Sequence, residues 1–189
     1  MAETETEGRP LEIVSRAQAR DRDAFEQLVE DHATEVYRLA ASIVGAADAG
    51  DVTQDTFVAA WQQLPRLRDA TRFRAWLRQI CVNRARNWLR SAARRGVPVG
   101  LDTQDFLADR TDFRRVVEAR TVIEPAFERL NADQRAILAL HYSMGYSIAE
   151  AADALRVPVG TAKSRLNAAL NVLRDAVAEP ERSKAEASS

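Results

Sequence analysis

Residues 147–174 read S-I-A-E-A-A-D-A-L-R-V-P-V-G-T-A-K-S-R-L-N-A-A-L-N-V-L-R, two short amphipathic segments separated by a turn. The Ser147 hydroxyl is placed to accept from an amide of a first helical turn, and Glu150, three residues on, to reach back to the Ser147 amide. That pairing is a capping box. Behind it Ile148, Ala151, Ala152 and Leu155 recur at i, i+3, i+4 and i+7, which predicts a helix with one apolar face. Pro158 suits the first position of a second helix, because its missing N–H would be unpaired there anyway. The apolar stripe of that helix is Val159, Ala162, Leu166, Ala169, Leu173 and Val177. Thr161, Lys163, Ser164, Arg165, Asn167 and Asn171 are left on or near the outer side, a row of hydrogen-bonding side chains. This is the layout of a helix-turn-helix that reads a DNA groove, although an ordinary helical hairpin shows the same periodicity.

Composition narrows the possibilities. A chain of 189 residues with 46% hydrophobic and 29% charged content is ordinary for a globular protein of one or two small domains. No apolar run approaches the roughly 18 residues that suggest a membrane span, and the acidic start M-A-E-T-E-T-E-G-R-P lacks the features of a signal peptide. A cytoplasmic location is expected. Cys81 is the single cysteine and His32 and His141 the only histidines, so neither a disulfide framework nor a metal cluster is expected, and Cys81 reads as a small core residue.

The net charge of −1 conceals a strong polarity. From Asp21 to Leu64 nine acidic residues face two arginines, a local −7, whereas from Arg66 to Arg95 ten arginines face only Asp69, a local +9. The first stretch repels nucleic acid and the second attracts it.

The periodicity predicts a short helix over Leu11–Ala19 after a disordered acidic tail at 1–10. A longer helix capped by Asp23 follows, ending at Gly45. A third runs from about Ala47 to Gln63, then a polar loop to Arg72, and a fourth over Phe73–Ala93 in which aromatics alternate with arginines. Residues 96–112, with Gly96, Pro98, Gly100 and four aspartates, read as a flexible linker. A second domain is expected over 113–178, bending at Pro125 and restarting at Asn131, where N-A-D-Q offers another cap with Gln134. Residues 179–189 read as a frayed tail. The expected fold is therefore all-α, two small helical domains on either side of a linker, with the first occupying 11–95.

Two segments together carry a more specific resemblance. A-F-E-Q-L-V through D-V-T-Q-D-T-F-V-A-A-W to F-R-A-W-L-R-Q-I-C-V-N-R-A-R-N-W-L-R, followed by L-N-A-D-Q-R-A-I-L-A-L-H-Y-S-M-G-Y-S-I-A-E-A-A and V-P-V-G-T-A-K-S-R-L, resemble the extracytoplasmic-function (ECF) sigma factors of bacterial RNA polymerase. The match spans nearly everything from Ala24 to Val177. It implies a promoter-melting domain followed by an upstream-element domain.

The resemblance also implies roles. Asp51, Gln54, Asp55, Phe57 and Trp61 would dock on core polymerase, an acidic face suiting a basic partner. Arg72, Arg74, Arg78, Arg84, Arg86 and Arg90 would hold phosphates around the −10 element while Trp88 or Phe73 packs or stacks, since melting needs charge and stacking contacts to offset unstacking. Trp76 is expected in the core. Asn83, with the loop from Pro65 to Thr71, would receive a flipped base, which an amide reads by donating and accepting at once. Thr161, Lys163, Ser164, Arg165 and Asn167 would read the −35 element. L-N-A-A-L-N makes this recognition helix less basic than in many members, and Gly50 and Thr53 also depart from the usual residues.

The implied function is promoter recognition and transcription initiation with core RNA polymerase. No cofactor or enzymatic chemistry is implied, and an anti-sigma protein acting in trans is an expected partner. A stand-alone helix-turn-helix regulator and a protein-binding helical adaptor are the alternative classes. The arginine-rich segment has no duty in the former, and the weak recognition helix keeps the latter open.

Overall fold

A computed structural model of the chain describes residues 3–96 and 126–186, and every regular element among them is helical. Helix α1 (Glu3–Gln18) begins inside the segment expected to be a tail. It ends through Arg20, which adopts a left-handed φ of 71°. Asp21 then caps α2 (Arg22–Val44), its Oδ1 accepting from the Ala24 amide at 3.1 Å. Asp23 was the expected cap. It lies two residues too late, in the first turn of the helix, whereas Asp21 has the extended backbone from which a side chain reaches an amide three residues on.

Gly45, at φ 89°, ends α2 and starts α3 (Ala46–Gln63), and its N–H donates to the Ala41 carbonyl at 2.9 Å. That conformation is open to glycine at little cost. The expected loop is more ordered than its composition implies: two 3₁₀ turns, Leu64–Arg66 and Ala70–Arg72, flank Asp69. The Asp69 carboxylate accepts from the Thr71 amide at 3.0 Å and from its hydroxyl at 2.5 Å, fixing the approach to α4 (Phe73–Arg95).

Helices α2, α3 and α4 pack around Leu39, Ile43, Val52, Leu64, Leu77 and Val82, all nearly inaccessible. Ala40, Ala49, Ala60 and Ala85 are fully buried among them. Side chains this small let helix axes approach closely beside the larger core residues.

The second domain is described from residue 126, where Ala126, Phe127 and Leu130 are buried. The expected linker, the domain start near Phe113 and the bend at Pro125 lie outside the described residues. Asn131 and Gln134 form the expected capping box on α5 (Ala132–Leu138), which continues as a π turn over Ala139–Ser143. Ser147 and Glu150 form the second box, on α6 (Ile148–Leu155). Arg156, at φ 52°, closes α6 in the left-handed conformation, with its N–H turned back onto the Ala152 and Asp153 carbonyls.

The last helix, α7 (Val159–Glu186), begins one residue later than expected, with the Pro158 carbonyl accepting from the Ala162 amide, and it continues into the presumed frayed tail. Its buried stripe is Ala162, Leu166, Ala169 and Ala176. Val159, expected inside, is exposed, as are Pro158 and Gly160 on either side of it. Buried residues of the two domains form one continuous apolar cluster.

Candidate nucleic-acid interface

Helix α4 carries one side into the core and the other outward. Phe73, Leu77, Ile80, Cys81, Val82, Ala85 and Leu89 are buried, while Arg74, Asn83 and Arg90 are exposed and Arg78, Arg84, Arg86 and Trp88 lie between. Arg72 precedes the helix on the second 3₁₀ turn and is exposed. Aromatics and arginines therefore alternate because the helix divides them between two faces. Trp76 and Trp88 are half-buried and pack against the core, and the Trp76 ring lies 5.9 Å from Phe73.

The guanidinium groups are organised by carboxylates. Glu35, on α2, accepts from Arg74 Nε at 2.9 Å and also pairs with Arg78. Burial raises the pKa of Glu35, but the two guanidiniums outweigh burial and hold its carboxyl below the ordinary carboxylate value. Asp133, at the start of α5, accepts from Arg86 Nε at 2.6 Å and from Arg90 Nη2 at 3.3 Å. Its other oxygen lies 3.3 Å from Arg165 Nη2 on α7.

The Arg78 Nη1 donates to the Tyr146 hydroxyl at 2.5 Å, with the guanidinium carbon 5.3 Å from the ring centre. Gln79 donates to the Asp153 carbonyl at 3.4 Å and accepts from Arg156 Nη2 at 2.8 Å. Arg72 approaches Asp153 at 3.9 Å. Glu35, Gln79, Asp133, Tyr146, Asp153 and Arg156 were not singled out from sequence. A segment with a charge of +9 attracts anions, which was the available signal, but it does not say which anions.

The helix-turn-helix has the expected orientation. Lys163, Ser164 and Asn167 are exposed along the outer face of α7 and Thr161 is half-buried. Arg165 departs from that row: its side chain is 27% exposed and turned toward Asp133, and its Nη1 is buried without a hydrogen-bond partner.

On α3, Asp51, Gln54 and Asp55 are exposed on one face, which Val58 extends at 50% exposure. Asp48, nearby, has its pKa raised by burial and by the charge of Asp51. Phe57 does not join this face. At 8% exposure its ring belongs to the core, because residue 57 falls on the side of the helix turned to α2 and α4. Trp61 is half-buried, with its ring 4.9 Å from that of Phe25 and the Arg20 guanidinium 5.1 Å above it.

Two titratable groups lie behind these faces. Cys81 is buried, as expected, and burial pushes its thiol up to about 12, which makes it unreactive. The His32 pKa is lowered by burial despite the nearby Glu35 and Asp31 carboxylates, and its ring lies 5.4 Å from Phe73.

Comparison with known proteins accounts for this combination. Residues 28–95 match Sigma-70 region 2, and residues 121–173 match Sigma-70, region 4. The ECF RNA polymerase sigma factor SigL of Mycobacterium tuberculosis is 36% identical over 165 residues, covering 85% of this chain and 93% of SigL. The ECF RNA polymerase sigma-E factor of Escherichia coli is 30% identical over 165 residues, covering 82% of this chain and 86% of the relative. Among solved structures, CnrH in complex with the cytosolic domain of CnrY matches at a TM-score of 0.59 and 28% identity, over 89% of this chain and 96% of that one. The sigma factor RpoE in complex with the anti-sigma factor NepR from Bartonella quintana matches at a TM-score of 0.60 and 25% identity, over 81% of this chain and 96% of that one. With relatives of this similarity matched along nearly their whole length, and an arginine-lined helix and a helix-turn-helix in the order the family requires, the chain belongs to the ECF sigma factors.

Proposed function

We propose that the chain works as an initiation subunit of bacterial RNA polymerase. It binds the core enzyme, directs it to promoters through −10 and −35 elements and promotes initiation, with no covalent chemistry of its own. The observation that carries this reading is similarity to ECF sigma factors over 85% of a chain that also presents an acidic helix face, an arginine-lined helix and a helix-turn-helix. A stand-alone regulator or a helical adaptor is not favoured, since the match includes both domains.

Within that reading the roles divide by charge and chemistry. Residues 11–95 form the polymerase-docking and melting domain, 96–112 the linker and 113–178 the −35 domain. Asp51, Gln54 and Asp55 supply the docking surface, with Trp61 on the same side as Gln54 and held by Phe25 and Arg20. The arginines of α4 grip the opened −10 strands, and exposed Asn83 reads a base edge. Lys163, Ser164 and Asn167, with Arg165 once freed from Asp133, face the −35 groove.

An anti-sigma protein is the natural partner in control, as for the solved relative RpoE bound to the anti-sigma factor NepR. The site of action is the cytoplasm, where polymerase and promoter meet. Among the described residues no helix is long and apolar enough to cross a membrane.

The test is reconstitution. The purified chain with core polymerase should start transcripts at a discrete promoter where neither component alone does, and failure to bind core polymerase would refute the reading.

A further inference from the structure

We infer that Gln18, on α1, is a positioning residue for base reading: it clamps the backbone of the stretch from Pro65 to Thr71 into one shape before DNA arrives. This rests on the reading of that stretch, with Asn83, as the receiver of a flipped base. The Gln18 Nε2 donates to the Leu67 carbonyl at 2.6 Å and to the Leu64 carbonyl at 3.4 Å. Leu64 is fully buried, and its carbonyl also accepts from the Leu67 amide at 3.0 Å. One side-chain amide therefore holds both the start of the first 3₁₀ turn and the residue that closes it. The far end of the stretch has its own lock, the Asp69 carboxylate on Thr71 together with the Asp69 carbonyl, which accepts from the Arg72 amide at 3.1 Å. Between the two locks Arg66 and Arg68 are exposed.

Gln18 acts from a firm base. Buried Val14 and Ala17 seat α1 on the bundle. Arg16 donates to Asp21 Oδ2 at 2.9 Å while Asp21 Oδ1 caps α2, so one carboxylate joins the two helices at their corner. Arg20, left-handed at φ 71°, turns across the end of α3 and donates to the Trp61 carbonyl at 2.8 Å. That conformation is uncommon outside glycine and persists where the surroundings over-determine it. The corner thus ties down the carbonyls of residues 61, 64 and 67 in succession.

A hydrogen bond to a base edge depends on close placement, and a loop ordered in advance has less conformational freedom to lose when the base enters. Both Gln18 contacts are to main-chain carbonyls. They set the shape of the stretch without depending on which side chains stand at 66 and 68.

Two measurements on the full chain test this, with Gln18→Met, which keeps the side-chain length and removes the donor, and Gln18→Lys, which restores one. In the free chain, hydrogen exchange at the amides of Arg66, Leu67 and Arg68 should quicken about fivefold in Gln18→Met, the worth of one net hydrogen bond, while the amides of α4 keep the parent's rates. With core polymerase, each chain then selects from a single-stranded DNA pool randomised across the −10 element. Gln18→Met should lose about tenfold of preference at one position, the order that one base-edge pair supplies, with the other positions and core binding close to the parent. Gln18→Lys should recover both readouts, and its failure to restore either removes hydrogen-bond donation as the cause. Unchanged exchange overturns the clamp, whatever the DNA selection gives. Quickened exchange with intact preference overturns the positioning role, and preference lost equally at every position overturns it by making Gln18 merely structural. A parent holoenzyme with no preference at any position refutes the base-reading stretch itself, and the inference with it.

Discussion

Phe57 offers a sharp test because its two possible roles predict opposite outcomes for Phe57→Ala. The side chain is 8% exposed and belongs to the α2–α3–α4 core. Truncating a buried aromatic costs about 3–5 kcal/mol in lost burial and cavity formation. With a urea dependence of about 2 kcal/mol per molar, a loss of about 4 kcal/mol lowers the unfolding midpoint by about 2 M. Phe57→Leu, which keeps most of the volume, should lose less than about 1.5 kcal/mol. Gln54→Ala and Asp55→Ala, at exposed positions, should stay within about 0.5 kcal/mol of the parent yet weaken polymerase binding. Urea titration followed by circular dichroism, beside a pull-down with core polymerase, measures both quantities. A Phe57→Ala chain of undiminished stability that no longer binds polymerase would refute the reasoning and return Phe57 to the docking surface.

The −35 contacts should show in salt dependence. Lys163→Ala with Arg165→Ala should weaken binding to a −35 duplex and reduce the slope of log K against log salt by about one per lost phosphate contact, measured by anisotropy between 50 and 200 mM salt, roughly the range in which such contacts dominate. Asn83→Ala should impair promoter opening, followed by permanganate reactivity, more than closed-duplex binding, and equal losses would contradict the base-reading role. His32 predicts a pH effect of definite sign. Because burial lowers its pKa, below its ordinary value of 6.5 the unfolded chain takes up a proton that the native chain refuses. Stability therefore declines as pH falls from 6.5 toward the native value, and His32→Asn should lack that decline in urea titrations across the range.

Local chemistry made much of this fold legible. The boxes at Asn131 and Ser147 and the stop at Gly45 each depend on residues within a few positions of one another, and each appears where the spacing implied; the outward row on α7 holds for Lys163, Ser164 and Asn167 but not for Arg165, which turns to Asp133. Asp23 failed as a cap because two aspartates compete within three residues, and only backbone conformation decides between them. Periodicity left Phe57 either inside the bundle or at a contact surface, because an aromatic beside an acidic face serves equally well as anchor or core, and spacing alone does not say how far neighbouring helices wrap around it; its ring is buried. Asp133 had no local signature. Its part depends on 43 and 47 residues of separation from Arg90 and Arg86 closing in three dimensions. The assignment of polymerase and promoter roles came from resemblance, for which charge polarity is a physical reason but not a derivation.

The fully buried alanines between α2, α3 and α4 give this bundle an unusual pattern of mutational tolerance. Ala40, Ala49, Ala60 and Ala85 have almost nothing to lose by truncation, so a scan that replaces side chains by alanine passes over them without a signal. Enlargement is another matter. Each added group has to displace a neighbouring backbone or side chain, at a typical cost of about 1–3 kcal/mol. These alanine contacts are thus ones that deletion experiments leave unseen, and ones where sequence drift toward larger residues is poorly tolerated.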